Sequence, residues 1–314
     1  MKLARISKSK PCVKQTDEIT IERFYEIFKE FLTVKKLEGS SERTITDYQN
    51  HIDIYFKRFL VIERINETEL LDIGLIRNYI GHMQDKNLKS STINVRLRTL
   101  RAYIRWLSKE GVINNSIPTR LKLVKQEEKK VQIISDLQVK KLYNVIDTSK
   151  YTGFRDYVLI NMMLENGIRC NELVNIQIED IDLDRRLVIV RASTAKTRKE
   201  RHLPITKTLK KYLKEMIEIA KSTDCDFVFQ KQTTGGMSTG SVRKSLSDYS
   251  KLAKIKTTVS PHILRHTFGS NFIKKGGDVF TLSTILGHTT IQMSRRYVNL
   301  NSDEIRKIYD KFFD

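Results

Sequence analysis

Cysteines and long apolar runs are scarce in this sequence of 314 residues. The three cysteines, Cys12, Cys170 and Cys225, lie far apart, and their odd number argues against a disulfide framework. No apolar run approaches the length of a transmembrane helix, and the basic start leads into no hydrophobic signal core. These absences exclude a disulfide-stapled secreted scaffold and a membrane-spanning protein. We therefore predict a cytoplasmic protein with no membrane partner.

Acidic residues are scarce relative to basic ones. The chain has 57 Lys and Arg against 37 Asp and Glu, a formal net charge of +20. With 39% hydrophobic and 30% charged residues, its composition is otherwise that of a soluble globular protein. A surplus of this size is typical of proteins that bind a polyanion, although a generally basic protein without such a partner is the alternative. The length suits two domains.

Helical periodicity dominates the first part of the chain. The segment from Phe24 to Phe31 has apolar residues at the spacing of one helix face, and three later segments repeat the pattern. Four helices with short polar connections predict a helical bundle. The predicted organisation is a basic flexible arm (1–16), the helical domain (17–113), an exposed linker (114–132) and a second domain (133–314).

The fourth predicted helix carries a run of basic side chains: Arg96, Arg98, Arg101 and Arg105. Such a run is usually a solvated helix face. In a chain with this net charge, we expect these arginines to contact phosphates instead.

The second domain is predicted to be helical apart from one small β element. Residues Leu187 to Ala192 alternate and are rich in valine and isoleucine, which indicates a strand. A polar tip that includes Lys196 leads to a second short strand ending at Pro204 and Ile205. The predicted fold class is mainly α with a small β-hairpin or sheet. The last segment, residues 302–314, has the pattern of a short amphipathic helix.

Polar residues that could take part in catalysis lie close together in the sequence near the end of the chain. Ser260 followed by Pro261 is a helix-start signal, because the hydroxyl caps the helix and proline is tolerated at its first position. His262, Arg265 and His266 then lie at i, i+3 and i+4 and share one face of that helix. A later helix is predicted to end at Gly287, so that His288 lies just beyond its C-terminus.

Five motifs occur in an order that resembles the tyrosine recombinases, the phage-integrase and Xer-like family. They are Gly167-Ile168-Arg169 with Glu172-Leu173, Ala195-Lys196 before Leu203-Pro204, His262 with Arg265-His266, Leu286-Gly287-His288, and Tyr297. The resemblance covers nearly the whole chain. It implies an N-terminal helical core-binding domain, SAM-like with four helices, followed by the catalytic domain of a site-specific DNA recombinase.

The resemblance also implies how charge is handled during phosphodiester transfer. Arg169 and Arg265 would offer planar forks of donors to the phosphate oxygens. Lys196, on the hairpin, would protonate the leaving 5′ oxygen as a general acid. Lys199 is the alternative for that role, although the family's lysine lies before the Lys-Glu-Arg run.

Tyr297 is the predicted nucleophile, which forms a 3′-phosphotyrosine link. His262 is predicted to handle the proton of the tyrosine, and His288 to bond a phosphate oxygen. We expect Glu172 to orient its helix or a basic partner, and His266 to support the site without acting directly. Because the bond energy is retained in the covalent link, neither a metal nor ATP nor any other cofactor is expected.

Partners follow from the same resemblance. The expected partner is double-stranded DNA with inverted-repeat core sites, bound by four protomers in a synaptic complex. The helix over residues 302–314 would dock on a neighbouring protomer, with packing on its own domain as the alternative. Accessory proteins that set the direction of recombination are a further expected class of partner.

Three other functions are compatible with parts of the pattern. A topoisomerase-like enzyme would nick and reseal DNA as a monomer, and an inactive DNA-binding protein would use the same scaffold without chemistry. A metal-dependent nuclease would use His262, His266 and His288 as ligands. No glutamate lies between the first two histidines, and Arg265 would direct a positive charge at the metal, which makes the nuclease the weakest of these alternatives.

Overall fold

Several helices of the first unit begin at a side chain that caps them. In the computed structural model, Thr20 accepts a hydrogen bond from the backbone of Arg23 at the start of helix α1 (Ile21–Leu37), and Ser41 and Asp72 cap α2 (Glu42–Gln49) and α4 (Ile73–Asp85) in the same way. The structure describes residues 19–114, 116–126, 131–195, 197–231, 235–298 and 306. The predicted arm (1–16), Lys196 and, apart from residue 306, the predicted C-terminal helix lie outside these residues.

The chain divides into two units, residues 1–128 and 129–314. The helices of the first unit are α1 (Ile21–Leu37), α2 (Glu42–Gln49), a π-helical segment (Asn50–Phe56), α3 (Lys57–Ile62), α4 (Ile73–Asp85), α5 (Ser90–Lys109) and α6 (Ser116–Arg120). The four predicted helices are α1, the continuous helical run from α2 to α3, α4 and α5. Because α5 already includes Ser90, Lys89 is its N-cap residue and no side chain caps it there.

The core of the first unit is aromatic. The rings of Phe24, Phe28 and Phe31 on α1 pack against Tyr103 on α5, and the Tyr103 hydroxyl donates a hydrogen bond to the Phe24 carbonyl. All four side chains are buried, which satisfies the helical periodicity of the sequence. The bundle therefore has an apolar centre of its own.

Part of the predicted linker packs on the helices of the first unit. Ile117 and Leu121, four residues apart, are buried in the core of the first unit, and Asn94 bonds both backbone groups of Val124. A segment that buries two apolar side chains packs on the bundle. Part of the segment 117–124 is therefore buried against the bundle, whereas Thr119, Arg120 and Lys122 are exposed.

The second unit surrounds one apolar helix. Its helices are α7 (Asp136–Asn144), α8 (Tyr151–Asn166), α9 (Cys170–Val174), a 3₁₀ turn (Ile178–Asp180), α10 (Lys207–Ser222), α11 (Thr239–Leu252), α12 (Pro261–Lys274), α13 (Val279–Leu286) and α14 (Gln292–Arg295). Helix α8 packs against α12 and α10, and Val158, Leu159, Met162 and Met163 are buried around much of its surface.

The β element is an antiparallel sheet with the order β1 (Ile181–Asp182), β2 (Leu187–Val190) and β3 (Arg201–Pro204). In its register, Val188 lies opposite both Ile181 and Leu203. The predicted hairpin is β2 and β3, and β1 adds a third strand at its edge. The predicted fold class, mainly α with a small sheet, is confirmed. Within the described residues, no helix has the length and apolar character needed to cross a membrane.

Candidate active site

Helix α12 begins as the sequence predicts. The Ser260 side chain accepts a hydrogen bond from the backbone of Ile263, and Pro261 occupies the first turn. The helix buries Arg265, which is 5% exposed, half-buries His266 and leaves His262 exposed. One turn of helix thus presents three polar side chains at three depths.

The guanidinium of Arg265 lies between the C-terminal ends of two helices. Its Nη1 donates to the Gly167 carbonyl oxygen at the end of α8, and its Nη2 donates to the Leu286 carbonyl oxygen at the end of α13, each at 2.6 Å. Helix C-termini carry partial negative charge, which favours a cation there. Burial, followed by the charge of Arg169, nevertheless lowers the pKa of Arg265 to about 9.

Arg169 lies beside Arg265 at the N-terminus of α9. Its Nη1 donates to the Glu172 carboxylate at 3.0 Å, and its Nη2 donates to the Gly287 carbonyl oxygen at 2.9 Å. Gly287 ends α13 in the left-handed conformation with φ 60°, which glycine adopts without strain. The two arginines are therefore held side by side by carbonyl oxygens and one carboxylate.

Glu172 is the acidic side chain at this pair of arginines, and Arg201 is its second partner. Both terminal nitrogens of Arg201 donate to the carboxylate, and its Nε donates to the Ile285 carbonyl oxygen at 2.9 Å. Burial alone would raise the pKa of Glu172, which is 2% exposed, but Arg201 and Arg169 lower it below its ordinary value. Glu172 is thus an ionised carboxylate that bonds two cations.

Arg201 was missed as a functional residue by the sequence analysis, in which it is only the last residue of the Lys-Glu-Arg run after Lys196. A signal was present in the alternation of β3, because Arg201 lies two residues before the fully buried Leu203 and shares its face of the strand. Arg243 on α11 was also missed. It is exposed, and its charge lowers the pKa of both His262 and Cys170, although burial still raises the Cys170 pKa to about 11.

Tyr297, just after α14, is buried at 4% exposure. Its hydroxyl is 2.8 Å from Nδ1 of His266, and it accepts a bond from Nη2 of Arg296 at 3.3 Å. The ring lies parallel to the His288 ring, with centroids 6.4 Å apart. Tyr297 also lies near enough to Arg265 to raise the pKa of that arginine.

His288 is oriented by a buried serine. Its Nδ1 lies 2.6 Å from the Ser294 hydroxyl, and burial, followed by the charges of Arg265 and Arg169, lowers the His288 pKa to about 3. The pKa of His262 is lowered in the same way, first by partial desolvation and then by Arg265. Both imidazoles are therefore neutral near pH 7.

The structure brings together five of the six predicted catalytic residues: Arg169, His262, Arg265, His288 and Tyr297. Lys196, the sixth, is outside the described residues. Across the described part of the chain, no three His, Cys, Asp or Glu side chains are arranged to hold a metal ion.

The four arginines of α5 belong to the first unit and do not share one face. Arg98 and Arg105 are exposed, and Arg101, half-buried, lies on the same side of the helix. The guanidinium of Arg96 instead stacks over the Tyr55 ring, 3.7 Å from its centroid. Phosphate contact by these arginines stays a prediction.

Known protein families match both units. The profile described as the phage integrase family matches residues 132–304, and that of the phage integrase N-terminal SAM-like domain matches residues 26–111. A tyrosine recombinase XerC of Staphylococcus haemolyticus is 30% identical over 290 residues, covering 90% of this chain and 95% of the relative. A tyrosine recombinase XerC of Oceanobacillus iheyensis is 27% identical over 299 residues, covering 93% and 96%.

Solved structures share the fold. The Tn1549 transposon integrase, in complex with transposon right end DNA, aligns with a TM-score of 0.73 at 18% identity, covering 94% of this chain and 100% of that one. The XerH site-specific recombinase bound to palindromic difH substrate aligns with a TM-score of 0.72 at 17% identity, covering 91% and 84%.

Fold and site together are typical of enzymes that transfer DNA strands through a tyrosine. The chain belongs to the phage integrase family, the tyrosine recombinases. It is an enzyme of site-specific DNA recombination that acts by tyrosine transesterification. The predicted family and activity are confirmed, and neither the topoisomerase nor the inactive DNA-binding protein is favoured.

Proposed function

We propose that this recombinase cuts and rejoins DNA through Tyr297, with Arg169 and Arg265 holding the phosphate that the tyrosine attacks. The observation that carries the proposal is the convergence of two restrained guanidinium groups and a tyrosine hydroxyl. A phosphate oxygen that develops negative charge is best stabilised by donors that are already in place.

The two arginines have donors left for a phosphate. A guanidinium has five N–H groups, and bonds with described residues occupy only part of each set. Since Glu172 and the helix carbonyls fix both side chains, little reorganisation is needed when the phosphate binds. Charge stabilisation of this kind is worth about 10²- to 10³-fold in rate per donor removed.

The remaining roles complete the transfer. We propose Lys196 as the general acid for the leaving 5′ oxygen, on the strength of its place in the sequence motif. His262, exposed at the start of α12, and His288, beside the Tyr297 ring, are proposed to bond phosphate oxygens and to assist proton movement at the nucleophile. No step in this scheme draws on a metal or on ATP.

We propose double-stranded DNA with inverted-repeat core sites as the substrate. The proposal is supported by relatives described as bound to transposon-end DNA and to palindromic difH substrate. Four protomers would act on two sites in the cytoplasm, with residues 302–314 docking on a neighbour and accessory proteins setting direction. The domain limits 17–113, 114–132 and 133–314 likewise stay a proposal.

The test is covalent capture on DNA that carries nicks, which let the cleaved 5′ end diffuse away. In EDTA, the protein is expected to form an adduct that resists SDS, and Tyr297→Phe is expected to bind DNA but form none. Tyr212→Phe is the matched control, because Tyr212 packs against Phe154 and Tyr157. An adduct that survives Tyr297→Phe would refute the nucleophile, and strand exchange between two labelled duplexes separates recombination from nicking and resealing.

A further inference from the structure

The hydroxyl of Tyr297 has two polar neighbours with different chemistry. Nη2 of Arg296 can only donate, so it occupies a lone pair of the phenol oxygen at 3.3 Å. The phenol proton is therefore free to point at Nδ1 of His266, 2.8 Å away. This is the distance at which one heavy atom can pass a proton to another.

His266 is in the form that accepts a proton. Burial lowers its pKa to about 4, and the charges of Arg296, His262 and Arg265 act in the same direction. At neutral pH the imidazole is therefore uncharged, and one of its ring nitrogens accepts. With the Tyr297 hydrogen directed at Nδ1, that nitrogen is the acceptor and Nε2 carries the proton.

His262 does not have this geometry. It lies one turn earlier on α12, and its side chain is exposed. Tyr297 instead packs on the helix that carries His266. Its ring lies against Gly269, where an added Cβ would be 2.9 Å from Cε1 of the ring. The phenol is thus held where it can exchange a proton with His266.

We propose that His266 is a catalytic residue of strand cleavage, the base that takes the Tyr297 proton through Nδ1. The proposal rests on the function of Tyr297 as nucleophile. It assigns to His266 the proton step that the sequence pattern assigned to His262. His262 is then left to bond the phosphate.

The step balances without a further reactant. The O–H bond of Tyr297 breaks as its proton passes to Nδ1 of His266, and the phenol oxygen forms a bond to phosphorus. The bond from phosphorus to the 5′ oxygen breaks, and this oxygen takes a proton from the ammonium group of Lys196. Religation reverses each transfer, so His266 returns its proton to the phenol oxygen when the DNA hydroxyl displaces it.

The first experiment compares His266→Asn with His266→Ala in single-turnover cleavage of nicked DNA. Asparagine can still hold the tyrosine hydroxyl but cannot take up the proton, so both variants should be slow, by about 10²- to 10⁴-fold at pH 7. His202→Ala is the matched control, because His202 is exposed on β3 and pairs with Glu200. Thermal melting and DNA binding are measured for each variant.

The second experiment uses DNA with sulfur in place of the bridging 5′ oxygen. Since a thiolate leaves without protonation, this substrate should rescue Lys196→Ala but not the His266 variants. On it, the unaltered protein should cleave at a rate independent of pH between about 6 and 9. His266→Asn should instead speed up about tenfold per pH unit, because hydroxide from the solvent must then take the tyrosine proton.

The outcomes separate the two proposals. If the unaltered protein forms no adduct that depends on Tyr297, the proposed function fails. If that adduct forms while His266→Asn and His266→Ala cleave at normal, pH-independent rates, only the role of His266 is overturned. If both variants fail to fold, the pH profile of the unaltered protein on the sulfur substrate decides, because a tenfold rise per pH unit contradicts an internal base.

Discussion

At the scale of single residues, the active site depends on how charge is compensated. Glu172 is buried and ionised, and it bonds Arg169 and Arg201 together. Removing one member of a buried ion pair leaves a charge without a partner, which costs more than the pair contributes. The position of Arg169 at the proposed phosphate site therefore depends on Glu172 and, through Glu172, on Arg201.

Replacement of Arg201 tests this dependence. We expect Arg201→Ala to lower the free energy of unfolding by about 3 kcal/mol and to slow cleavage, since Glu172 and the Ile285 carbonyl oxygen lose their donors. Chemical denaturation and single-turnover cleavage measure the two effects. Arg185→Ala is the control and should change stability by less than about 0.5 kcal/mol, because its side chain is 81% exposed. Equal stability of the two variants would contradict the role of Arg201.

At the scale of elements, helix ends create the site. Two helices, α8 and α13, end at Gly167 and Gly287 in the left-handed conformation, and their last carbonyls point at the arginines. At Gly167 an added Cβ would lie 2.4 Å from the Phe268 ring. Glycine at this position thus serves both the backbone turn and the contact between α8 and α12.

Helix α12 places the tyrosine as well as Arg265. By helix propensity alone, alanine at Gly269 would stabilise α12 by about 0.5–1 kcal/mol. Its methyl group would meet the Tyr297 ring, however, so we expect Gly269→Ala to displace the phenol from His266 and to lose adduct formation. Gly81→Ala is the matched control, because Gly81 lies in α4 with nothing within 4 Å of the added atom. Normal adduct formation by Gly269→Ala would show that cleavage does not require the Tyr297 ring to pack against residue 269.

At the scale of the whole molecule, the net charge of +20 makes the expected DNA binding electrostatic. Each unit has its own apolar core, so neither requires the other to bury its side chains.

Binding should weaken steeply with salt, because each phosphate contact releases counterions. We expect the double variant Arg98→Ala and Arg105→Ala to bind more weakly and to reduce the slope of log K against log salt by about 2. Titrations of labelled duplex DNA at several salt concentrations measure this slope. Arg185→Ala with Arg186→Ala is the control of equal charge. The same slope for both double variants would remove the α5 arginines from the DNA-binding surface.

The sequence by itself determined the fold class, the family and most of the candidate site. Helical periodicity and caps are local signals, so α1 and α12 were predicted from residues near in the chain. The five motifs named the arginines and Tyr297 as candidates because each motif lies within a short stretch of the chain. Such signals need no knowledge of the tertiary contacts.

Only the tertiary structure decided which side chains meet. Arg201 reaches Glu172 across 29 residues, and His266 reaches Tyr297 across 31. No periodic pattern in the sequence indicates either contact, because both contacts depend on how β3, α9, α12 and the segment after α14 pack. For the same reason the sequence pattern favoured His262 as the partner of the tyrosine proton, whereas the fold brings His266 to its hydroxyl.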